Sequence, residues 1–504
     1  MYKNFSAETL EQVRRLTDAN AFKAGIAVSM GLTAYNLEEY AKLADPEFSP
    51  LRDEIPRVTP PGNLAGVQPN WKIVTSFNSG HIKPYVTEGN RGALITYTNT
   101  AKSAPYVTLG LENNATFEAE AAAIGFDNID DLATLGLLNE QFSQEERTII
   151  GGNAGQALGQ TGTPVLSLQA TGGTLTTSTT YYIGVVALTY DGWDLASANS
   201  TVPQVVTQAN AGPYGGNTTF NGGSAIISAL ANVATTGTGQ SIVATVATNT
   251  GAVGYAWFVG SSASHQYFAG VSTINSFNIT AAPSSSGQDF QALTGSVDYS
   301  QNVLSFDGLI SQIAQGGYVY TMPTGTVSVG GAGTGLTPAP SGAGVGIVEI
   351  DNMLAYFWNN YRTNIGEIHV NAQEMQNITN KVLSAGSAPL IRFNYDRAQI
   401  ESGQIIGGAV IGMYLNKFAM GGPQLIPIKL HPYVPAGTMI FRPLKLPYKI
   451  TNIGTILRMN CRKDYYQLVW PLVRRQREWG IYCEQVLQNY CPFAFGMITN
   501  IANK

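Results

Sequence analysis

The sequence predicts an α+β protein interrupted by an all-β sandwich, and three observations lead there. The first is charge. All 28 Lys and Arg residues fall outside residues 148–361, twelve from Met1 to Arg147 and sixteen from Arg362 to Lys504. The stretch between holds only seven acids: Asp191, Asp194, Asp289, Asp298, Asp307, Glu349 and Asp351. The second is texture. The middle is rich in Gly, Thr, Ser, Ala and Asn, which keep a surface wet without net charge. The third is periodicity, with short evenly spaced strand patterns in the middle and mixed helix and strand patterns in the flanks. A hydrophobic content of 44% and mean hydropathy near zero indicate a globular chain. At 504 residues it has room for roughly two to four domains, each with its own core. Charged content of 12% is about half the usual level. That suits a β-rich protein whose surface is largely covered by neighbours, because charge is costly to desolvate.

Taken in order, Met1–Leu16 reads as a short amphipathic helix with Ser6 as N-cap, not a signal peptide. With Met1 present, no propeptide removal is expected. Prolines 46, 50, 56, 60, 61 and 69 then block long helices, so residues 1–70 read as an extended arm. Trp71–Leu111 reads as a two-stranded ribbon. Ala93–Thr98 alternates as a strand does, and Glu88-Gly89-Asn90 supplies a turn. Such a ribbon is not stable alone in water and needs a surface to lie on. Phe117–Ile150 reads as a helix with Leu132, Leu135, Leu138 and Phe142 on one face and Gly151-Gly152 ending it. Glu145 and Glu146 sit at the dipole-unfavourable end, which points either to a cationic partner elsewhere or to an ordinary solvated helix end.

From about Gly155 to Gln291 the pattern is that of a sandwich. Thr179–Tyr190 is a strand with Asp191-Gly192 as a hairpin-type turn, followed by further short strands between small polar loops. The strand Gly254-Tyr255-Ala256-Trp257 resembles the mid-domain strand of fibronectin type III modules, an Ig-like arrangement. Beyond it the pattern predicts helices over Phe306–Ile313, Ile350–Tyr361 and Gln373–Leu383. Strands are predicted over Glu367–Val370, Ile405–Leu415, Gln424–Leu430 and Thr438–Pro443, with Tyr465–Ile501 closing the chain as paired strands.

Catalytic grammar is missing: there is no phosphate-loop, HExxH, GxSxG or EF-hand spacing. No enzyme activity, cofactor or metal is therefore expected. The histidines, His81, His265, His369 and His431, stand far apart and read as structural. Gly330–Gly346 imitates a phosphate cradle but carries prolines and no nearby cation, so it reads as a loop. Cys461, Cys483 and Cys491 lack paired spacing and read as reduced thiols. Lys72, Lys83 and Lys102 on the ribbon read as solvated, with isopeptide crosslinking as the sharper alternative. Arg474, Arg475 and Arg477 form the densest basic cluster. It reads either as ion pairs with acids such as Glu145, Glu146 or Glu478, or as an interior face toward nucleic acid. No apolar run approaches the ~18 residues of a membrane span.

The order of arm, ribbon, long helix and mixed body resembles the major capsid protein of tailed bacteriophages. The resemblance is carried by Phe77–Thr100 and Tyr106–Leu132 (extended loop into spine helix), Glu145–Asn153 (its end), and Phe306–Ile313, Val348–Arg362 and Ile368–Leu383 (axial core). Asn489–Ile501 resembles a strand returning to the peripheral domain. It implies an N-terminal arm at 1–70, an extended loop at 71–112, the spine helix and first peripheral part at 113–154, an Ig-like insertion at 155–291, an axial domain at 292–464 and peripheral return strands at 465–504. It also implies a virion shell protein assembled in the bacterial host cytoplasm. Its partners would be copies of itself in pentamers and hexamers, non-specifically packaged double-stranded DNA, a portal, a separate scaffolding protein and minor capsid or decoration proteins, with no membrane. Trp71, Tyr85, Arg91, Tyr97, Tyr106, Glu145 and Glu146 are the subunit-interface candidates. An encapsulin-like compartment shell and a secreted carbohydrate-binding β-protein are the alternatives.

Overall fold

A computed structural model describes residues 48–60, 66–76, 82–123, 128–210, 216–339, 346–384, 412–419 and 421–504. The Met1–Leu16 helix, most of the arm, His81 and residues 405–411 of the expected Ile405–Leu415 strand lie outside them. The described residues form an α+β protein with three main bodies of regular structure, one large apolar cluster shared among them and further clusters within each.

The first is a four-stranded sheet. Leu457–Val469 and Gln476–Asn489 form a long antiparallel hairpin. Val107–Thr116 pairs with the second strand, and Arg57–Val58 runs parallel to the first. The ribbon boundary expected at 112 and the peripheral boundary expected at 465 thus both fall inside strands of this sheet. Helices Phe117–Ala123 and Ile129–Gly151 replace the single expected helix, with Asn128 in extended backbone before the second. The long helix covers the sheet through Leu137, packed with Ala115, Trp479 and Ile481. Its buried positions include Leu137, Gln141, Glu145 and Ile149, recurring every fourth residue, while Leu135 is exposed. Of the other expected residues, Leu132, Leu138 and Phe142 are half-buried, and Leu138 packs on the same cluster as Leu137.

The helix ends where it meets the insert. A Cβ on Gly151 would lie 2.1 Å from the Tyr190 ring, and one on Gly152 would lie 2.4 Å from the Phe306 carbonyl oxygen. Only glycines permit that approach.

The insert is a two-sheet sandwich. Val165–Gln169, Ser241–Thr245 and Ser276–Ile279 form a three-stranded antiparallel sheet. Ala231–Ala234, Thr180–Leu188, Gly254–Ser262 and His265–Ser272 form a four-stranded one. Tyr181, Ile183, Val185 and Trp257 meet Ile242, Ala244 and Ile279 between them. On the other face Val186, Leu188, Ala256 and Phe258 pack against Ala196, Val202, Phe290 and Leu293. Burial on both faces explains why these strands read as unbroken apolar runs instead of alternating. The expected turn at Asp191-Gly192 is the first turn of helix Tyr190–Asn199, capped by the Thr189 side chain, which accepts from the Gly192 N–H. That helix supplies the cover for the second face. The boundary expected at 291 lies inside this packing, since Leu293 belongs to the second cluster and Tyr299 exchanges backbone bonds with Gly223 and Ser224. The two ends of the insert meet. Asn302 N–H donates to the Asn153 carbonyl at 2.7 Å, and Gly308 N–H to the Gly152 carbonyl at 2.8 Å.

The third body is a six-stranded mixed sheet, in the order Tyr318–Thr321, Gly496–Thr499, Met439–Arg442, Glu367–Val370, Gln424–Leu430, Met413–Asn416. Helix Val348–Tyr361 lays Ile350, Met353, Leu354 and Phe357 on it, and Ala372–Ser384 adds Ile378. The helix expected over Phe306–Ile313 starts later, at Leu309–Gly316, because Asp307 accepts from Ala154 N–H, Gly155 N–H and the Ser311 hydroxyl ahead of it. Asn489–Ile501 does not return to the first sheet as expected. A turn of 3-10 helix at Pro492–Ala494 redirects the chain, and Gly496–Thr499 enters the six-stranded sheet between Tyr318–Thr321 and Met439–Arg442.

Trp257 is fully buried, with its indole N–H donating to Ser272 Oγ at 2.8 Å. Trp257→Ala is expected to cost about 3–5 kcal/mol of insert stability. Denaturant unfolding followed by near-ultraviolet circular dichroism checks this.

Candidate assembly surface

Among the described residues the ribbon is paired at its base, where Asn70–Ser76 runs antiparallel to Thr98–Ser103. Ala93–Tyr97, expected as strand, lies outside the ladder. Its side chains are largely open among the described residues: Leu94 is 89% and Tyr85 86% exposed, and Val86, Ile95 and Tyr97 are exposed as well. The expected turn is present. Gly89 takes a φ of +81°, and Asn90 N–H donates to the Thr87 carbonyl at 3.1 Å. Arg91 is exposed beside that turn and makes no ion pair among the described residues. Trp71 and Tyr106 are half-buried at the ribbon base. Tyr106 faces the Arg462 guanidinium, 5.7 Å from its ring, and packs on the central core, so its own subunit covers part of it. The expectation that a neighbour buries it is narrowed to the part left exposed.

Glu145 and Glu146 are also corrected as interface candidates. Both are fully buried, at 0% exposure. Glu145 receives Arg57 Nη1 at 2.5 Å and the Tyr465 hydroxyl. Burial and the Glu145 charge push the Tyr465 phenol far up. Burial alone would lower the Arg57 guanidinium, but the adjacent Glu145 and Asp464 outweigh it and raise it. Glu146 accepts from Leu51 N–H at 2.9 Å, Arg52 N–H at 2.7 Å and His431 Nε2 at 2.7 Å. Those two amides open the short helix Pro50–Glu54, so a carboxylate sits at its positive end. The cationic partner expected from the sequence exists, but inside the subunit.

A second network joins the same arm to the six-stranded sheet. Arg442 Nη1 lies 2.8 Å from Glu54 and 3.4 Å from Glu367, and Lys429 Nζ 2.6 Å from Glu367. Burial would raise the Glu367 carboxyl, but contacts with His369 and Lys429 and the Arg442 charge hold it down to about 2. His369 Nε2 stands 3.3 Å from Glu367, and burial lowers the imidazole below its usual value.

The basic cluster is largely engaged. Arg475 pairs with Glu118 at 2.7 Å, and Arg477 with Asp130 at 2.8 Å and Glu120 at 3.4 Å. The ion-pair reading holds with different acids from those expected, because Gln476–Asn489 brings the arginines beside the two helix starts. Arg474 is exposed and has no acid partner among the described residues. Sequence reasoning passed over what precedes it. Leu468-Val469-Trp470-Pro471-Leu472-Val473 forms an apolar hairpin tip on which Val469 is 70% exposed and Leu472 and Val473 are exposed too. The run of apolar residues around one proline was the available signal. Cys461, Cys483 and Cys491 are free and buried, and burial pushes the first two thiols to about 12 and the third to about 11.

No protein-family model matches the chain, and no curated protein matches it. Among solved structures it is similar to the capsid of a native GTA particle, at 10% identity and a TM-score of 0.41, over 95% of this chain and 99% of that one. It is also similar to the capsid of the cyanophage P-SCSP1u, at 8% identity and a TM-score of 0.39 over 100% of both chains. A third is the capsid of cyanophage A-1(L), at 9% identity and a TM-score of 0.39, over 94% of this chain and 98% of that one.

Arg57→Ala leaves buried Glu145 with only the more distant Arg52, at 3.6 Å, and is expected to cost up to about 3 kcal/mol, measured as a shift in urea midpoint. The pH dependence has two stages. His369 is held neutral in the fold, so its unfolded form takes up protons first and stability declines as pH falls below about 6.5. The depressed Glu367 contributes fully above about 4.5, and its contribution is lost as pH falls toward about 2. Urea midpoints between pH 7.5 and 5 should therefore fall, and His369→Gln should flatten that upper stage.

Proposed function

We propose that this chain is a major capsid protein: a shell subunit that assembles with copies of itself into the icosahedral container of a tailed phage. One observation carries the reading. A ribbon rooted in the core projects large apolar side chains, Tyr85 and Leu94 foremost, that nothing described in the subunit covers. Two strands cannot hold such a limb in water, and the residues it offers are the types that fill interface cores. A second copy supplies the cover, and repetition of that heterologous contact closes rings and then a shell. The apolar hairpin tip at Leu468–Val473 adds a second contact of the same kind. The rigid tile between these contacts comes from the buried ion pairs that lock arm, long helix and both flanking sheets together.

In this reading the sandwich is an Ig-like domain displayed on the outside of the shell. Its meeting ends, Asn153 with Asn302 and Gly152 with Gly308, are what an inserted module needs. Its lack of Lys and Arg leaves an outer skin with no attraction for nucleic acid. Double-stranded DNA would be enclosed without base recognition. Portal, scaffolding and decoration proteins would be separate chains, and the particle would form in the bacterial cytoplasm.

The test is negative-stain imaging of the purified full chain, alone and with its virion partners. Closed shells support the reading, whereas a solitary molecule under every condition overturns it. Shells formed alone and filled with protein would favour the compartment alternative. Leu94→Asp is expected to abolish particles while shifting subunit stability by no more than about 0.5 kcal/mol, read by sedimentation and melting in parallel. Replacing residues 154–301 with a short Gly/Ser bridge is expected to leave shell formation intact, checked by the same images.

A further inference from the structure

A cleft of about 350 Å³ opens between the ribbon base, helix Leu309–Gly316 and the end of strand Gln476–Asn489. Three donors line it without an acceptor among the described residues. The Trp71 indole N–H is enclosed and unpaired. Asn489 is 2% exposed, and its Oδ1 accepts from Cys491 N–H at 3.0 Å. That bond fixes the amide and leaves Nδ2 as the unpaired end. Lys102 Nζ has no hydrogen-bond partner and no carboxylate within ion-pair distance. A Cβ built on Gly316 would stand 3.9 Å from Nζ, which puts the amine at the end of the helix. Burial lowers it below the usual lysine value, against the opposing pull of Asp307 and Cys491.

One acceptor is left over beside these donors. Gln312 Nε2 donates to the Asp307 carbonyl at 2.7 Å and the Leu487 carbonyl at 3.2 Å, so Oε1 is the unpaired end. The Asp307 carboxylate also lines the cleft, but its Oδ1 already accepts from Ala154 N–H, Gly155 N–H and the Ser311 hydroxyl. Enclosed polar groups without partners forfeit their hydration and gain nothing for it. Water can pair with such groups, but it brings no charge to an ammonium. The set calls for a small anion with several acceptor oxygens, for Lys102, Trp71 and Asn489, and one O–H, for Gln312 Oε1. Hydrogen phosphate has both. Sulfate and the phosphodiesters of DNA carry no O–H at neutral pH, and a phosphate monoester has mostly lost its own, with a second pKa of about 6. We infer that this cleft binds inorganic phosphate. The ion would join the ribbon root, through Trp71 and Lys102, to the body, through Gln312 and Asn489. This goes beyond the shell reading and does not depend on closed particles forming.

Equilibrium dialysis of the purified full chain against labelled inorganic phosphate at neutral pH tests it. One saturable site per chain is expected. Sulfate and a nucleoside monophosphate should compete at least tenfold more weakly than unlabelled phosphate. Lys102→Gln should weaken binding at least tenfold, and Trp71→Phe should weaken it while keeping an aromatic ring in place, both with unchanged circular dichroism. Hydrogen exchange read by peptide mass spectrometry should slow in Asn70–Ser76 and Thr98–Ser103 when phosphate is added. No saturable binding, the result expected of a cleft that holds only solvent, overturns the inference. Binding left unchanged in a folded Lys102→Gln chain, equal competition by sulfate, or exchange protection confined to other strands would overturn it too.

Discussion

Two adjacent carboxylates that water never reaches organise this molecule. Glu145 and Glu146 close the long helix at the end where the helix dipole disfavours them, and both are fully enclosed. Burying a charge is tolerable only with close, hydrogen-bonded partners. Arg57 and Tyr465 therefore come to one, and the amides of Leu51 and Arg52 with His431 come to the other. Those partners belong to the arm, the terminal hairpin and the six-stranded sheet. Satisfying one pair of acids thus fixes three distant stretches of chain around one helix end.

The same helix end is the seam with the sandwich. Gly151 admits the Tyr190 ring, Gly152 admits the Phe306 carbonyl, and Arg147 reaches Asp194 at 3.1 Å. The insert is therefore braced on the tile at the point where it leaves the chain and returns to it. Its own integrity is separate: the Trp257 cluster between its sheets includes no residue of the flanks. A module with an independent core and adjoining ends can be carried by a body that does not need it for folding. The ribbon is the opposite case. Among the described residues it has no apolar cluster of its own, and Tyr85 and Leu94 stand exposed.

Much of this was legible in advance where local pattern decides. The strands Glu367–Val370 and Gln424–Leu430 fall where alternation and β-branched residues put them, and Gly89 turns the ribbon because its φ is positive. The sandwich was visible because a sheet buried on both faces writes long apolar runs. Reading failed where a partner far along the chain overrides local preference. Asp191-Gly192 looks like a turn in isolation, yet a helix is needed there to cover Phe258 and Phe290. Gly496–Thr499 reads as the continuation of a hairpin until the Pro492–Ala494 turn sends it into the other sheet.

The amino-acid sequence by itself determined the division into charged flanks and an insert without Lys or Arg, the kinds of element in each, and the existence of the ribbon. Those are written in periodicity, composition and turn residues, which act over a few neighbours. Only the tertiary structure decided what Glu145 and Glu146 do. Nothing near residue 145 announces Arg57 or Tyr465, 88 and 320 positions away. A buried charge chooses its partners through space, and the cost of leaving it unpaired makes that choice binding.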